Sequence, residues 1–489
     1  MGSVLTEGRS YIAGRWVTGD RSFDVEDPAD ESVAGTVTAT PLAEVRTAIA
    51  EARRSFDQGV WSILPAAERA AVVRSFLDHL ESMVDELVPV IVAEAGQPVG
   101  YASSIQTAGA IELGRASVEL YLSMRHEEHN PVPTSELVTN RVALSLKRHE
   151  PVGVVTAITP YNAALLMAIQ KLVPALMAGN SVIVRPSPLT PMSSLALGAA
   201  ADAAGLPPGV LSVVVEDGAE GATLLTSDPG VDMVSFTGST PVGRAILEQG
   251  AATVKKVVLE LGGKSAQIYL DDAVGLTAMG ALVVVAMTSG QACVAATRML
   301  VPEARKTEVL DLVRDTYAGL RVGDPRDPTT VIGPLISSAQ RRRCEDIVAA
   351  AVAGGATVVA GGRRPDGFDR GHYVEPTVLD LPDNSNPAAQ QEIFGPVLGV
   401  IGYRDLDDAV AIANDSQYGL SAQVYGSDVA TAAEVGRRIR AGAVNVNTSL
   451  FSAYAPGGGY KQSGLGRERG PDGIREFQEL KHMVIGDLK

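Results

Sequence analysis

From residue 152 onward, short β-branched apolar runs alternate with helical segments. VGVVTAIT (152–159) precedes a helical stretch through 178 that closes at Gly179-Asn180. SVIVR (181–185) precedes a helix ending at Gly205, and LSVVV (211–215), DMVSFTG (232–238) and KVVLEL (256–261) follow. Apolar runs of strand length separated by helices that stop at glycine predict a doubly wound parallel sheet, which binds nucleotides at the carboxyl ends of its strands. Upstream, the pattern predicts an opening in helices. Thr40-Pro41 reads as a cap, and Val45, Ala48, Ile49, Ala52 and Phe56 follow at helical spacing. Residues 65–95 read as two more helices stopped by Gly96. Residues 137–149 change period: Val142, Leu144 and Leu146 alternate with polar positions, a strand with one apolar face that another subunit could cover. After 261 a second alternating block begins with AQIYL (266–270) and MLVP (299–302), then a helix over 303–320, and runs to GAVNVN (442–447). We therefore expect an α/β protein with a nucleotide-binding domain over 1–130 and 150–261 and a second α/β domain over 262–475. Oligomerisation strands are expected at 131–149 and 476–489.

Between Ala273 and Thr297 no side chain is charged, a run long enough for a bilayer at about 20 residues. Gly275, Thr277, Gly280, Thr288, Ser289, Gly290 and Gln291 interrupt it, and aromatic or basic anchors do not flank it. It is expected to be a helix buried on all sides, not a membrane span. The opening MGSVLTEGRS lacks an apolar secretory core, and its formal myristoylation match through Gly2 and Thr6 is set against an ordinary start. Charge counts of 41 basic and 57 acidic residues give −16, which disfavours nucleic acid as a partner. Two cysteines cannot frame a disulfide scaffold, and a reducing cytoplasm is the expected location. Cys344, after three arginines, reads as part of a solvated helix face. The six histidines form no spaced ligand set, so no metal is expected.

Six blocks could carry chemistry. FTGSTPVG (236–243) offers free N–H groups at a helix start, suited to a phosphate or to a plain cap. LELGGKS (259–265) places Glu260 at the carboxyl end of a strand, as a site carboxylate or an ion-paired one. GQACVAATR (290–298) holds Cys293, a nucleophile or inert packing. In TPYNAALLMAIQK (159–171), Asn162 can donate to an oxyanion or cap a helix. QEIFGPV (391–397) and PGGGYKQSGLGRERG (456–470) add Glu392, Phe394 and Glu468.

In this order and at these separations, the blocks resemble the aldehyde dehydrogenase superfamily, the hydrolytic NAD(P)-dependent kind, over essentially the whole chain. The resemblance implies a Rossmann-like nucleotide-binding domain, an α/β catalytic domain and a small β oligomerisation extension that makes a homodimer or homotetramer. It implies Cys293 as nucleophile, Glu260 as general base and Asn162 as oxyanion donor, with Lys171 and Glu468 linked to the base and its proton path. The implied NAD set is Thr159, Arg185, Ser187, Gly238, Ser239, Gly243, Leu261, Glu392 and Phe394. Glu392 would hold the nicotinamide ribose, Phe394 would pack beside the nicotinamide, and Ser239 would meet the pyrophosphate. The Cys293 thiolate would attack an aldehyde, the tetrahedral centre would expel hydride, and Glu260 would activate water against the thioester.

Two departures matter. Where NAD-preferring relatives read KPSExTP, this chain reads RPSPLTP (185–191), so Arg185 stands for lysine and Pro188 for glutamate. An arginine without that carboxylate weakens discrimination against NADP, which stays open beside NAD. Ala163, Gln170 and Gly457 stand where many relatives carry aromatics, and segments 163–170 and 449–459 carry no charge. That predicts a roomy, neutral tunnel for a bulky or apolar aldehyde, with neither a cation for a semialdehyde nor an aromatic cage for an amino aldehyde. Arg115 and Glu119, on a helix expected near the tunnel, are the exception. The alternatives are a semialdehyde or amino-aldehyde dehydrogenase, a non-catalytic binding protein of the same fold, and an esterase using the same thiol.

Overall fold

The computed structural model describes residues 4–130, 134–135, 142–449 and 451–486. Five of the predicted strands lie parallel at the centre of an eight-stranded sheet. Their order is Leu211–Val213, Ser181–Arg185, Val154–Ile158, Met233–Thr237 and Lys256–Glu260. The strand order reverses between Val154–Ile158 and Met233–Thr237, so a crevice opens above their carboxyl ends. Helices cover both faces, which is why Val154–Ile158, Ser181–Arg185 and Met233–Thr237 are buried at every position and read as apolar runs without alternation. Gly179, at φ +100°, ends the helix Ala164–Ala178 in a left-handed turn that a Cβ would strain.

The N-terminus departs from the helical reading. Four short strands, Ser10–Ile12, Arg15–Val17, Arg21–Asp27 and Ser32–Ala39, come before the first long helix, Leu42–Asp57. Thr40 is not its cap: the Thr40 hydroxyl donates to the Val215 carbonyl at 2.8 Å, because Ser10–Ile12 joins the sheet edge beside Leu211–Val213. The helices Ala66–Ser82 and Val84–Ala95, ended by a left-handed Gly96, match the reading of 65–95.

A second sheet has seven strands in the order Thr357–Ala360, Thr377–Asp380, Val397–Tyr403, Arg298–Pro302, Ala266–Tyr269, Ser421–Tyr425 and Ala443–Val446. All neighbours are parallel except the first pair. Gly464–Leu465, far along the chain, returns to pair with Lys256–Glu260 in the first sheet, which brings the glycine-dense loop to Glu260. The projecting strand is Val142–Pro151; residues 137–141 of the expected strand lie outside the described residues. It pairs antiparallel with Gln478–Gly486 from Pro151↔Gln478 to Ala143↔Gly486.

The one α-helix of the uncharged run is the ten-residue Thr277–Ala286, flanked by 3-10 turns at Asp271–Leu276 and Thr288–Gly290. It is not buried on all sides, since Leu276 just before it and Met279 within it are exposed. Among the described residues, no helix is long and apolar enough to cross a membrane.

Candidate active site

Cys293 lies beyond that helix, after a turn of Thr288, Ser289 and Gly290 with φ of 42°, 57° and 76°. Two non-glycine residues in the left-handed region are costly and persist only where surroundings impose them. Ser289 Oγ donates to the Gly333 carbonyl, and the Gln291 side chain spans from the Thr288 carbonyl to the Ile336 N–H. Gln291 in turn gives its backbone carbonyl to Asn162 Nδ2 at 2.7 Å. Asn162 is thus brought to the turn before Cys293 with one amide hydrogen engaged and one left to donate. Gln97 and Gln106 hold the Asn162 carbonyl, Gln106 from a π-helical stretch, Ala102–Gly109.

The adjacent glycines bring three blocks together. A Cβ on Gly262 would overlap the Glu392 carboxylate, one on Gly263 would lie 2.5 Å from the Cys293 carbonyl, and one on Gly290 would overlap the Gly395 backbone. Gly263 N–H donates to Glu392 Oε1 at 3.0 Å. The loop 392–395 is held from beneath by the helix Ser338–Ala353: Gln340 donates to the Ile393 and Phe394 carbonyls and Arg343 to that of Glu392. Cys344 therefore does not lie on a solvated face. It is buried beneath Gly395, where burial pushes its thiol up to about 12. The flanking arginines concealed this, because the helix buries its face against a loop that sequence periodicity does not register. Phe394, at φ 60°, meets Tyr161 edge to face with centroids 5.9 Å apart.

Around Cys293 burial, then the Glu392 and Glu260 carboxylates, press the thiol up to about 12, against N–H groups of Val294 and of Cys293 itself. These neighbours favour the protonated form of the Cys293 thiol. Glu260 is raised to about 8, first by burial and next by Glu468, with Lys171, Arg469 and Arg467 opposing. Its Oε1 has no hydrogen-bond partner in the protein, an acceptor available to water. Lys171 ion-pairs with Glu468, both fully buried, and also donates to Ser235 at 3.1 Å; Gln170 donates to the other Glu468 oxygen. Glu468 is fixed further by paired backbone hydrogen bonds with Gly457.

The crevice above the first sheet suits a dinucleotide. Thr159 and Thr237 follow or end its two central strands, and each has a buried hydroxyl without a protein partner. Ser239 is the N-cap of the helix Thr240–Gly250, yet its side chain makes no capping hydrogen bond. A Cβ on Gly243 would lie 2.7 Å from Leu261, so the glycine lets Leu261 seat against this helix, and Gly238 N–H is held by the Glu260 carbonyl. Ser187 takes up the Leu189 N–H. Arg185 differs from its expected role: its guanidinium is committed to Glu216 and the Gly218 carbonyl.

Sequence reading also missed a cation. Arg469 stacks on Phe451 with its guanidinium 3.8 Å from the ring centroid, and forms no ion pair among the described residues. It lines a cavity of about 260 Å³ with Val283, Met287, Val294, Phe451 and Pro456. It stands beside Glu468 in the quoted GRERG, but outside the two uncharged segments 163–170 and 449–459. Its space exists because position 457 is glycine: a Cβ there would collide with the guanidinium. Arg115, by contrast, is spent on Asp78, Glu81 and Glu112, and Glu119 on Arg74. No metal-ligating cluster occurs among the described residues.

A crevice fit for a dinucleotide beside a half-buried thiol and a high-lying carboxylate is the arrangement that aldehyde oxidation calls for. The chain belongs to the aldehyde dehydrogenase family, whose sequence model matches residues 16–483, and it is an oxidoreductase of that kind. It is 37% identical over 478 residues to geranial dehydrogenase of Castellaniella defragrans, covering 97% of this chain and 98% of that one. Against 3-succinoylsemialdehyde-pyridine dehydrogenase of a Pseudomonas species it is 39% identical over 479 residues, with 97% and 98% covered. Among solved structures, a cysteine-to-alanine variant of aldehyde dehydrogenase C from Pseudomonas syringae, with NAD+ and octanal, superposes at a TM-score of 0.92 and 38% identity over 98% of this chain and 97% of that one. A point variant of betaine aldehyde dehydrogenase from Staphylococcus aureus, with NAD+, gives 0.94 at 33% identity over 99% of this chain and 98% of that one.

Proposed function

We propose that the protein oxidises an aldehyde to its carboxylic acid with NAD+, through covalent catalysis at Cys293. The observation that carries this is the glycine-mediated meeting of the Cys293 loop, the Glu392 loop and the strand end at Glu260. The Cys293 sulfur bonds to the aldehyde carbon as its proton is lost to solvent water, and the nascent oxyanion is met by the free Asn162 amide hydrogen and the Cys293 N–H. When bound, the nicotinamide supplies the acceptor for the hydride, and the carbon–oxygen double bond re-forms as a thioester on Cys293. Glu260 takes a proton from water as the water oxygen attacks, the carbon–sulfur bond breaks, and that proton passes to the leaving sulfur, so the acid departs with thiol and carboxylate both restored. Lys171 and Glu468 set the charge around Glu260. Glu392 and Phe394 would hold the nicotinamide end, and Thr159, Ser187, Gly238, Ser239, Gly243 and Leu261 the remainder of the dinucleotide.

The apolar cavity wall, with relatives that act on geranial or hold octanal, supports a bulky apolar aldehyde. Arg469 favours a second reading, an aldehyde with a distant carboxylate, in keeping with the succinoyl-semialdehyde relative. The proposed nucleotide-binding unit spans 1–130 and 150–261 and the proposed catalytic unit 262–475, the latter lending Gly464–Leu465 to the first sheet. The sheet formed by Val142–Pro151 and Gln478–Gly486 exposes Leu144, Leu480, Val484 and Ile485, which suits a homodimer or homotetramer. Two unpaired cysteines suit a reducing cytoplasm. The test is NADH formation with octanal and with an ω-carboxylated aldehyde, in the native chain and in Cys293→Ala. Turnover lost in the variant while NAD+ still binds is the expected result; turnover that survives in the variant refutes the mechanism.

A further inference from the structure

We propose that Glu216 fixes the cofactor choice: it sequesters Arg185, so that the adenosine ribose site accepts a 2′-hydroxyl and refuses a 2′-phosphate. This rests on the dinucleotide reading above and goes beyond it by assigning the discriminating residue. In a doubly wound sheet the end of the second strand lies beside the adenosine ribose, where a carboxylate selects the hydroxyl and an arginine welcomes the phosphate. Arg185 is the last residue of that strand, Ser181–Arg185. By sequence, with proline at 188, it invites the phosphate.

The tertiary structure reverses that expectation. Arg185 Nε donates to Glu216 Oε1 at 2.9 Å, and Nη2 donates to the Gly218 carbonyl at 2.7 Å. The two side chains are only 10% and 8% exposed, so the pair is little screened by water. Glu216 is itself immobilised: its two oxygens accept the N–H groups of Gly221 and Ala222, each at 2.8 Å. A Cβ on Gly221 would lie 2.6 Å from Glu216 Oε2, so glycine at 221 permits this approach. The carboxylate missing at 188 is thus supplied from the loop after the neighbouring strand, Leu211–Val213. A dianion approaching Arg185 meets Glu216 at the same time, and the pair offers no net positive charge. Arg185 Nη1, which takes part in none of these bonds, remains as a donor for a neutral hydroxyl.

The test is calorimetric titration of the full chain with 5′-AMP and with adenosine 2′,5′-bisphosphate, independent of turnover. The native protein is expected to bind 5′-AMP on the order of tenfold more tightly. Glu216→Gln keeps an oxygen acceptor but frees the guanidinium, and should strengthen bisphosphate binding by roughly tenfold with 5′-AMP changed little. Arg185→Ala, which does not depend on the Gln variant folding, should not weaken the bisphosphate selectively. An unchanged ratio in Glu216→Gln, or a selective loss of the bisphosphate in Arg185→Ala, overturns the proposal. Failure of the native chain to bind either nucleotide overturns the dinucleotide site itself, and this proposal with it.

Discussion

Replacing Glu468 by glutamine tests the electrostatics around Glu260. Glu260 sits at about 8 because burial and the Glu468 charge both oppose its ionisation, while Lys171 favours it. At pH 7 a carboxyl titrating at about 8 is only about one-tenth ionised. Glu468→Gln removes a like charge and leaves the Lys171 charge uncompensated, and both changes lower the Glu260 titration point. A drop on the order of one unit raises the ionised fraction at pH 7 to about one half, roughly fivefold. The fold should tolerate the change: Gln170 Oε1 is buried without a partner, so rotating the Gln170 amide lets it accept from the NH2 that the substitution introduces. If Glu468 also receives the proton from Glu260, the alkaline plateau falls even as the acid limb moves. The assay is breakdown of the acyl-enzyme formed from a p-nitrophenyl ester, followed against pH by the steady rate after the burst. The limb should move to lower pH. A limb that stays in place or moves upward would refute the assignment of Glu468 as the like charge acting on Glu260.

Lys171→Met leaves the Glu468 carboxylate buried without its cation, and should cost about 3–5 kcal/mol in reversible denaturant unfolding, against far less for a surface lysine such as Lys481. Thiol titration should find one reactive cysteine per native chain and two after denaturation, since Cys293 is partly exposed and Cys344 is sealed beneath Gly395; two fast thiols in the native protein would contradict that packing.

How much was legible in the sequence follows from the range over which each interaction acts. The parallel strands announced themselves as β-branched runs between helices that stop at glycine, because strands buried on both faces need apolar side chains throughout and the αL turn at a helix end suits a residue without a Cβ. Cys293, Glu260 and Asn162 were visible because their blocks are continuous stretches of chain. Periodicity could not show that Ser10–Ile12 joins the sheet edge and takes Thr40 away from its helix, because that pairing spans some 200 residues. Nor could it show that Cys344 faces a loop. The charge around the chemistry was decided wholly by tertiary structure. Glu216 reaches Arg185 across 31 positions and Lys171 reaches Glu468 across 297, while Arg469 enters the room left by Gly457. Local sequence thus supplied the groups on which the proposed chemistry rests. Only the fold, by setting burial and the distance between charges remote in sequence, decided their protonation and which charges remain free to meet a ligand.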